Sequence, residues 1–124
     1  MQVTICTANC VGQAGNCSYP NKVTVVTPEQ LQKAVKKDHV CAEFKGNYRS
    51  IENFIRSDVI VMDIDNDHTE VPADWITAEK LEELFPNVEY LLAPSRHHLL
   101  DKEGKSARPR YHMYFPISEI TDAS

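Results

Sequence analysis

The segment Val59-Ile60-Val61-Met62-Asp63-Ile64-Asp65 decides the expected fold, because a run of apolar residues ends there in two carboxylates. The run predicts a buried central strand over residues 58–64. Side chains alternate faces along a strand, so Asp63 and Asp65 should point to the same side, with Cα atoms roughly 7 Å apart. Mg²⁺ and Mn²⁺ prefer oxygen ligands and are commonly held by one or two carboxylates plus substrate phosphates. The pair therefore predicts a metal site and phosphoryl-transfer chemistry.

The same segment also permits a purely structural interpretation. Asn66, Asp67 and His68 continue the polar cluster, and Asn and Asp commonly close a turn by hydrogen bonding to their own backbone. A turn of this kind after a buried strand needs no metal. Both interpretations stay open from this segment alone.

The rest of the chain alternates strand and helix patterns. Strands are predicted over residues 3–6, 22–26, 40–44, 88–93 and 111–116, and helices over 50–55 and 77–85, with a further helix starting at Ser118. Thr27, Pro28 and Gln30 form a helix start, with Thr27 as N-cap and Gln30 completing a capping box. Strands alternating with helices predict an α+β domain with α/β-like layers. Repeats and linkers are absent from the sequence, so residues 1–124 are expected to form a single domain.

Composition and charge narrow the class of protein. The 124 residues with 42% apolar content suit one compact domain. The sequence predicts neither a membrane span nor a signal peptide, and hence a cytoplasmic protein that makes no membrane contact. The net charge of −5 is unlike the basic excess of most nucleic-acid-binding proteins. Cations are nevertheless concentrated in one loop, at Lys102, Lys105, Arg108 and Arg110, whose other interpretation is an ordinary solvated loop.

A second strand pattern, Tyr111-His112-Met113-Tyr114-Phe115, follows a basic loop and is preceded by Ser95-Arg96. An apolar strand ending in Asp-x-Asp, then a Ser-Arg, then a lone His on a strand, resembles the archaeo-eukaryotic primase superfamily, the primase-polymerases. The resemblance covers residues 39–117. The sequence around His112, from Pro109 to Pro116, is similar to the phage and mobile-element branch. The resemblance to the primase-polymerases implies an RRM-like core sheet flanked by helices.

The resemblance also implies roles for individual residues. Asp63 and Asp65 would be catalytic ligands of Mg²⁺ or Mn²⁺, and His112 a third catalytic residue. The implied contacts to a nucleoside triphosphate are Ser95, Arg96, Arg110 and His112, and those to nucleic acid are Arg49, Lys102, Lys105 and Arg108. Arg49 can equally belong to a plain surface loop. The implied function is a metal-dependent nucleotidyltransferase, a DNA primase/polymerase in the replication of a phage or mobile element. Its expected partners are nucleoside triphosphates, a DNA template and a helicase domain.

Two departures from the family pattern affect these expectations. The family usually has a short glycine turn between Ser and His, whereas residues 96–110 form a long charged insertion, so His97 and His98 are alternatives to His112. We prefer His112 because it lies in a strand pattern. The family's third carboxylate comes from a later strand that does not appear before Ser124, so the sequence is expected to be the N-terminal portion of a catalytic core.

Two other functional classes stay open. Carboxylates, the pair His97-His98 and Tyr111 could also build the site of a metal-dependent nuclease or a rolling-circle replication initiator. The pair lacks the apolar residue that such initiators show between two histidines. The other alternative is a non-catalytic nucleic-acid-binding module.

Overall fold

A computed structural model describes residues 2–122 and shows an α+β fold with two antiparallel sheets, which confirms the predicted class. The first sheet has the strand order β2-β1-β3 and the second β4-β5-β7-β6. The strands are β1 (Val3–Thr7), β2 (Asn21–Val25), β3 (His39–Val40), β4 (Glu43–Phe44), β5 (Phe54–Ile64), β6 (Leu91–Pro94) and β7 (Tyr111–Ile120). The helices are α1 (Pro28–Ala34) and α2 (Ala78–Leu84), with 3-10 turns at Lys45–Asn47, Ile51–Asn53 and Pro72–Asp74.

Local sequence explains where α1 begins. The hydroxyl of Thr27 accepts a hydrogen bond from the backbone N–H of Gln30, and the Gln30 side chain accepts from the backbone N–H of Thr27. This is the predicted capping box, with Pro28 at the first helical position. Leu31 and Ala34 are buried, so α1 presents one apolar face to the sheets.

One hydrophobic core joins the two sheets and α1. Its buried members are Val3, Ile5, Val25, Leu31, Ala34, Val59, Leu91, Ala93 and Tyr114. They come from β1, β2, α1, β5, β6 and β7. Since α1 packs against β6, the residues that follow α1 lie beside the end of β6.

The structure corrects four details of the sequence predictions. The predicted helix over residues 50–55 is wrong, because only a 3-10 turn forms at Ile51–Asn53 and β5 begins at Phe54. The predicted strand over residues 40–44 splits into β3 and β4, which belong to different sheets. The predicted helix at Ser118 is wrong, because β7 continues to Ile120 and pairs there with Ser57 of β5. Full burial of β5 is also wrong, because β4 pairs only with its beginning and leaves Ile60 52% exposed and Met62 40% exposed. No helix in the described part of the chain is long and apolar enough to cross a membrane.

Candidate active site

Three neighbouring strands bring the predicted site residues into one row. Asp63 on β5 lies opposite His112 on β7, and His112 lies opposite Ala93 on β6. Ser95 and Arg96 follow directly after β6, and the backbone N–H of Ser95 donates to the carbonyl of Arg110 at 2.9 Å. The antiparallel register therefore gathers Asp63, His112 and the Ser-Arg pair at one end of the sheet.

The contact between Asp63 and His112 is direct. Nε2 of His112 lies 2.9 Å from Oδ1 of Asp63, and the Asp63 side chain is 62% exposed. The His112 ring packs edge-on against the Tyr114 ring, with centroids 6.3 Å apart. The imidazole is therefore held from one side, while the carboxylate stays open to solvent.

Asp65 continues the same face of the sheet. Its Oδ1 lies 3.9 Å from Nη1 of Arg110, and its side chain is 42% exposed. Arg110 and His112 are two residues apart in the chain, so the contacts of Asp63 and Asp65 with them agree with the strand alternation that predicted a shared face.

A cleft of about 990 Å³ opens beside this row. The cleft is lined by the loop over residues 11–14, by Tyr19 and Arg49, by the end of α1 with the segment after it, and by the end of β6. The acids, bases and histidines that line it are Lys36, Lys37, Asp38, His39, Arg49, Arg96, His97 and His112. Asp38 is the single carboxylate among the described residues that line it. The cleft is therefore basic, in a chain whose net charge is −5.

Asp38 organises the mouth of the cleft. Its carboxylate accepts from the backbone N–H groups of Gly12 and Gln13 at 2.8 Å each and from Nη2 of Arg96 at 2.9 Å. These donors, the Gly12 N–H foremost, lower the pKa of Asp38 to about 2. Gly12 has φ +75°, and a Cβ there would lie 3.6 Å from Nη1 of Arg96. A glycine thus lets the loop adopt this conformation close against the arginine.

His39 ties one wall of the cleft to the core. Its Nε2 lies 2.9 Å from the hydroxyl of Tyr114, and its Nδ1 lies 3.2 Å from the carbonyl of Lys37. Burial lowers the pKa of His39, which favours a neutral ring that donates through Nδ1 and accepts from Tyr114. Sequence reasoning missed His39 and the preceding lysines, because Lys36-Lys37-Asp38-His39 looks like an ordinary polar exit from a helix.

Arg108 lies in the interior and contacts the loop that follows β5. It is fully buried, and its guanidinium donates to the carbonyls of Asn66 and Thr69 and to the carboxylate of Glu70. The same group stands 5.0 Å from the ring centroid of Trp75. Arg108 therefore anchors the fold, and its predicted contact with nucleic acid finds no support in this placement.

Arg110 is also fully buried. Its Nη1 donates to the backbone carbonyl of Asp65 at 2.9 Å and to the carboxylate of Asp67 at 2.8 Å, and this pairing lowers the pKa of Asp67. Nε and Nη2 have no hydrogen-bond partner within residues 2–122. Arg110 holds the residues that follow β5 through these contacts. It is not part of the cleft lining, so its predicted direct contact with nucleotide is likewise unsupported.

Lys102 and Lys105 lie at the tip of the loop, away from the cleft lining. Their backbones pair with each other at 3.1 and 2.9 Å, and the Lys105 ammonium lies 3.6 Å from the carboxylate of Asp67. Asp101 and Glu103 accompany them. Since Arg108 is buried, the remaining tip over residues 101–106 carries equal numbers of acids and bases.

The metal-site interpretation and the turn interpretation each fit some residues of the polar cluster at the end of β5. Asn66 is buried at φ +56°. Its side-chain amide donates to the carbonyls of Ile76 and Pro109, and its side-chain oxygen accepts from the backbone N–H of Ile76. Asn66 is a structural anchor, as a turn residue would be, whereas Asp63 and Asp65 keep exposed carboxylates.

The three histidine candidates separate in space. Nδ1 of His98 accepts from the backbone N–H of Arg110 at 3.0 Å, and its ring lies 4.8 Å from that of Tyr111. His97 and His112 line the cleft. His98 is therefore occupied by structural contacts, and the His97-His98 pair does not converge on one point.

The carboxylates fit a divalent cation only in part. No group of three or more His, Cys, Asp or Glu side chains in the described portion of the chain is arranged to hold a metal ion. Asp63 and Asp65 supply hard oxygen ligands at an open position, which suits Mg²⁺ held jointly with water and substrate phosphates rather than by protein alone.

Comparisons with protein-family models, with curated proteins and with solved structures gave no significant match to this chain.

Proposed function

We propose that this chain is a metal-dependent nucleotidyltransferase of the primase-polymerase type, with an RRM-like core formed by the four-stranded sheet. The observation that carries the proposal is the pairing of Asp63 on β5 with His112 on β7, beside the Ser95-Arg96 segment that follows β6 and next to a basic cleft of about 990 Å³. Exposed carboxylates beside phosphate-binding donors are the minimum that nucleotidyl transfer requires.

The cleft residues would bind and orient the triphosphate. Arg96 uses Nη2 on Asp38, which leaves its other nitrogens free to donate to phosphate oxygens as charge-assisted hydrogen bonds. Ser95 adds a hydroxyl donor, and His97 and His112 add imidazole donors. Asp38 therefore acts as a positioning residue that holds the Arg96 guanidinium at the mouth of the cleft.

Asp63 and Asp65 would hold Mg²⁺ or Mn²⁺. The bound ion supplies Lewis-acid activation of the attacking 3′-oxygen and neutralises charge on the leaving pyrophosphate. The 3′-hydroxyl gives up its proton to solvent, and the new bond forms between its oxygen and the α-phosphorus as the bond from the α-phosphorus to the pyrophosphate oxygen breaks. His112 contacts Asp63 at 2.9 Å in the structure; with Asp63 held by an ion, His112 would be free to donate from Nε2 to a phosphate oxygen. Metal and nucleotide are thus expected to bind cooperatively.

A second candidate is a non-catalytic nucleotide- or nucleic-acid-binding module. Two observations favour it: no three-ligand metal group exists among the described residues, and His112 already engages Asp63. The two candidates differ in whether anion binding depends on metal.

Titration calorimetry with a nucleoside triphosphate, with and without Mn²⁺, tests the proposal. We expect Mn²⁺ to strengthen nucleotide binding by about tenfold or more, equivalent to about 1.4 kcal/mol, and Asp63→Asn or Asp65→Asn to remove this gain. Asp101→Asn, which changes an exposed carboxylate outside the cleft, is the matched control. Unchanged metal dependence in both site variants would overturn the assignment, and equal binding with and without metal would favour the non-catalytic module.

A further inference from the structure

We infer that single-stranded nucleic acid runs along the cleft wall formed by Lys36, Lys37 and Arg49, and not along the loop over residues 101–106. This inference rests on the proposed function, because it places the strand on which that reaction would act. It keeps the expected nucleic-acid contact at Arg49, which lines the cleft, and replaces the expected contacts of the loop with Lys36 and Lys37.

The two lysines are free to bind an external anion. Both are exposed, and they follow α1 directly, in the segment that lines the cleft. The ion pairs found within residues 2–122 involve other cations, and neither lysine has a carboxylate partner there. Because α1 packs against β6, the lysines lie on the same side of the molecule as Ser95 and Arg96.

Arg49 supplies a cation from a separate segment of the lining. Its guanidinium lies 5.5 Å from the ring centroid of Tyr19 and donates to the carbonyl of Asn16 at 3.4 Å. Its backbone N–H donates to the carbonyl of Cys17 at 2.8 Å. Arg49 is thus an exposed arginine in a defined place, bound to neutral groups rather than to a carboxylate.

The loop over residues 101–106 lacks these properties. Its two lysines are balanced by Asp101 and Glu103, and Lys105 is paired with Asp67. A strand that neutralised cations here would first have to displace that carboxylate. Affinity for nucleic acid comes largely from cations that neutralise phosphates and release counterions, so the unpaired cations of the cleft are the better site.

The size and chemistry of the cleft favour a strand over an isolated phosphate. Its volume of about 990 Å³ is at the upper end of the roughly 300–1,000 Å³ usual for small-ligand sites. Cations from three separate segments line it, namely Lys36 and Lys37, Arg49, and Arg96. A basic groove that follows a phosphate backbone is the general solution for binding single strands.

A pair of double variants tests the inference. Lys36→Ala/Lys37→Ala and Lys102→Ala/Lys105→Ala each remove two positive charges, so they differ only in where the charge is removed. The probe is a fluorescein-labelled oligothymidylate of roughly 12 nucleotides, followed by anisotropy over a range of salt concentrations. We expect the cleft variant to bind about tenfold more weakly at low salt, with the slope of log K against log salt reduced by about 0.7 for each phosphate that is no longer neutralised. The loop variant should bind as the parent does.

Equal losses of affinity in the two variants, or a larger loss in the loop variant, would overturn the inference. Calorimetry of Mn²⁺ with a nucleoside triphosphate on the same proteins separates it from the proposed function. If the parent binds nucleotide, but Lys36→Ala/Lys37→Ala leaves the oligonucleotide affinity unchanged, this inference is wrong and the proposed function is not affected. If the parent binds no nucleotide, but the cleft variant loses oligonucleotide binding, the strand site is supported and the proposed nucleotidyltransferase is wrong. Thermal melts of both variants establish that each is folded.

Discussion

Two arginine-containing regions of this molecule use the same side chain for different purposes. Arg96 lies at the mouth of the cleft with its side chain 58% exposed, whereas Arg108 and Arg110 are fully buried beneath the loop that leaves β5. Arg96 has one carboxylate partner and free nitrogens toward solvent. The guanidinium of Arg108 is surrounded by backbone carbonyls, a carboxylate and an aromatic ring. An exposed guanidinium can bind a ligand, whereas a buried guanidinium stabilises the fold.

The largest effect should come from Arg108→Ala. Its removal leaves the carbonyls of Asn66 and Thr69 without their buried donor and empties the space beside Trp75. We expect the free energy of unfolding to fall by about 3 kcal/mol, measured by urea denaturation. Arg96→Ala is the matched control and should unfold close to the parent midpoint, while weakening nucleotide binding. Similar stabilities of the two variants would contradict the distinction between the two regions.

A smaller loss of stability is expected where the cleft is tied to the core. Tyr114→Phe removes the hydroxyl that donates to Nε2 of His39 at 2.9 Å and leaves a half-buried acceptor without that partner. We expect a loss of about 1 kcal/mol in the free energy of unfolding. Tyr90→Phe, on the other side of the sheet against Phe85 and Phe115, is a suitable control for loss of a tyrosine hydroxyl. An unchanged stability for Tyr114→Phe would show that the bond does not hold the cleft wall.

The smallest effect should be local, at Asp38. Its pKa is about 2 in the folded chain against an ordinary value of 3.8. A carboxyl whose pKa is lower in the folded state contributes stability above its unfolded pKa and loses it as the pH falls from about 4 to about 2. We therefore expect Asp38→Asn to flatten the acid limb of a plot of stability against pH.

The same substitution should loosen the loop over residues 11–14. The amides of Gly12 and Gln13 donate to Asp38, so their protection from hydrogen exchange near neutral pH should fall in Asp38→Asn. Amides in β7 provide the internal reference and should keep their protection. Unchanged exchange at Gly12 and Gln13 would show that the loop is held without this carboxylate.

The features that sequence predicts well are local. The capping box at Thr27 depends on residues three apart, and the strand predicted over residues 58–64, which is the later part of β5, depends on an apolar run that starts at Val59. Both can therefore be identified without tertiary information. The proximity of Asp63, His112 and Ser95 is expected from a family resemblance, and its geometry depends on strand register that no local pattern specifies.

The features that sequence misses depend on distant segments. Arg108 and Arg110 are expected in an exposed loop, as contacts to a ligand or as solvated charges, but the carbonyls and carboxylates of residues 65–70 enclose them. Lys36 and His39 become cleft residues only because α1 packs against β6 and Tyr114 reaches His39. Interactions of this kind are set by the fold rather than by residue spacing.

The most direct test of the account is to map, by amide chemical shifts in ¹⁵N-labelled protein, where Mg²⁺ and a non-hydrolysable nucleoside triphosphate bind. We predict the largest shifts at Gly12, Lys37, Arg96 and His112, with the amides of residues 101–106 little changed. Largest shifts within residues 101–106, with the four cleft amides unmoved at saturating ligand, would contradict the placement of the active site.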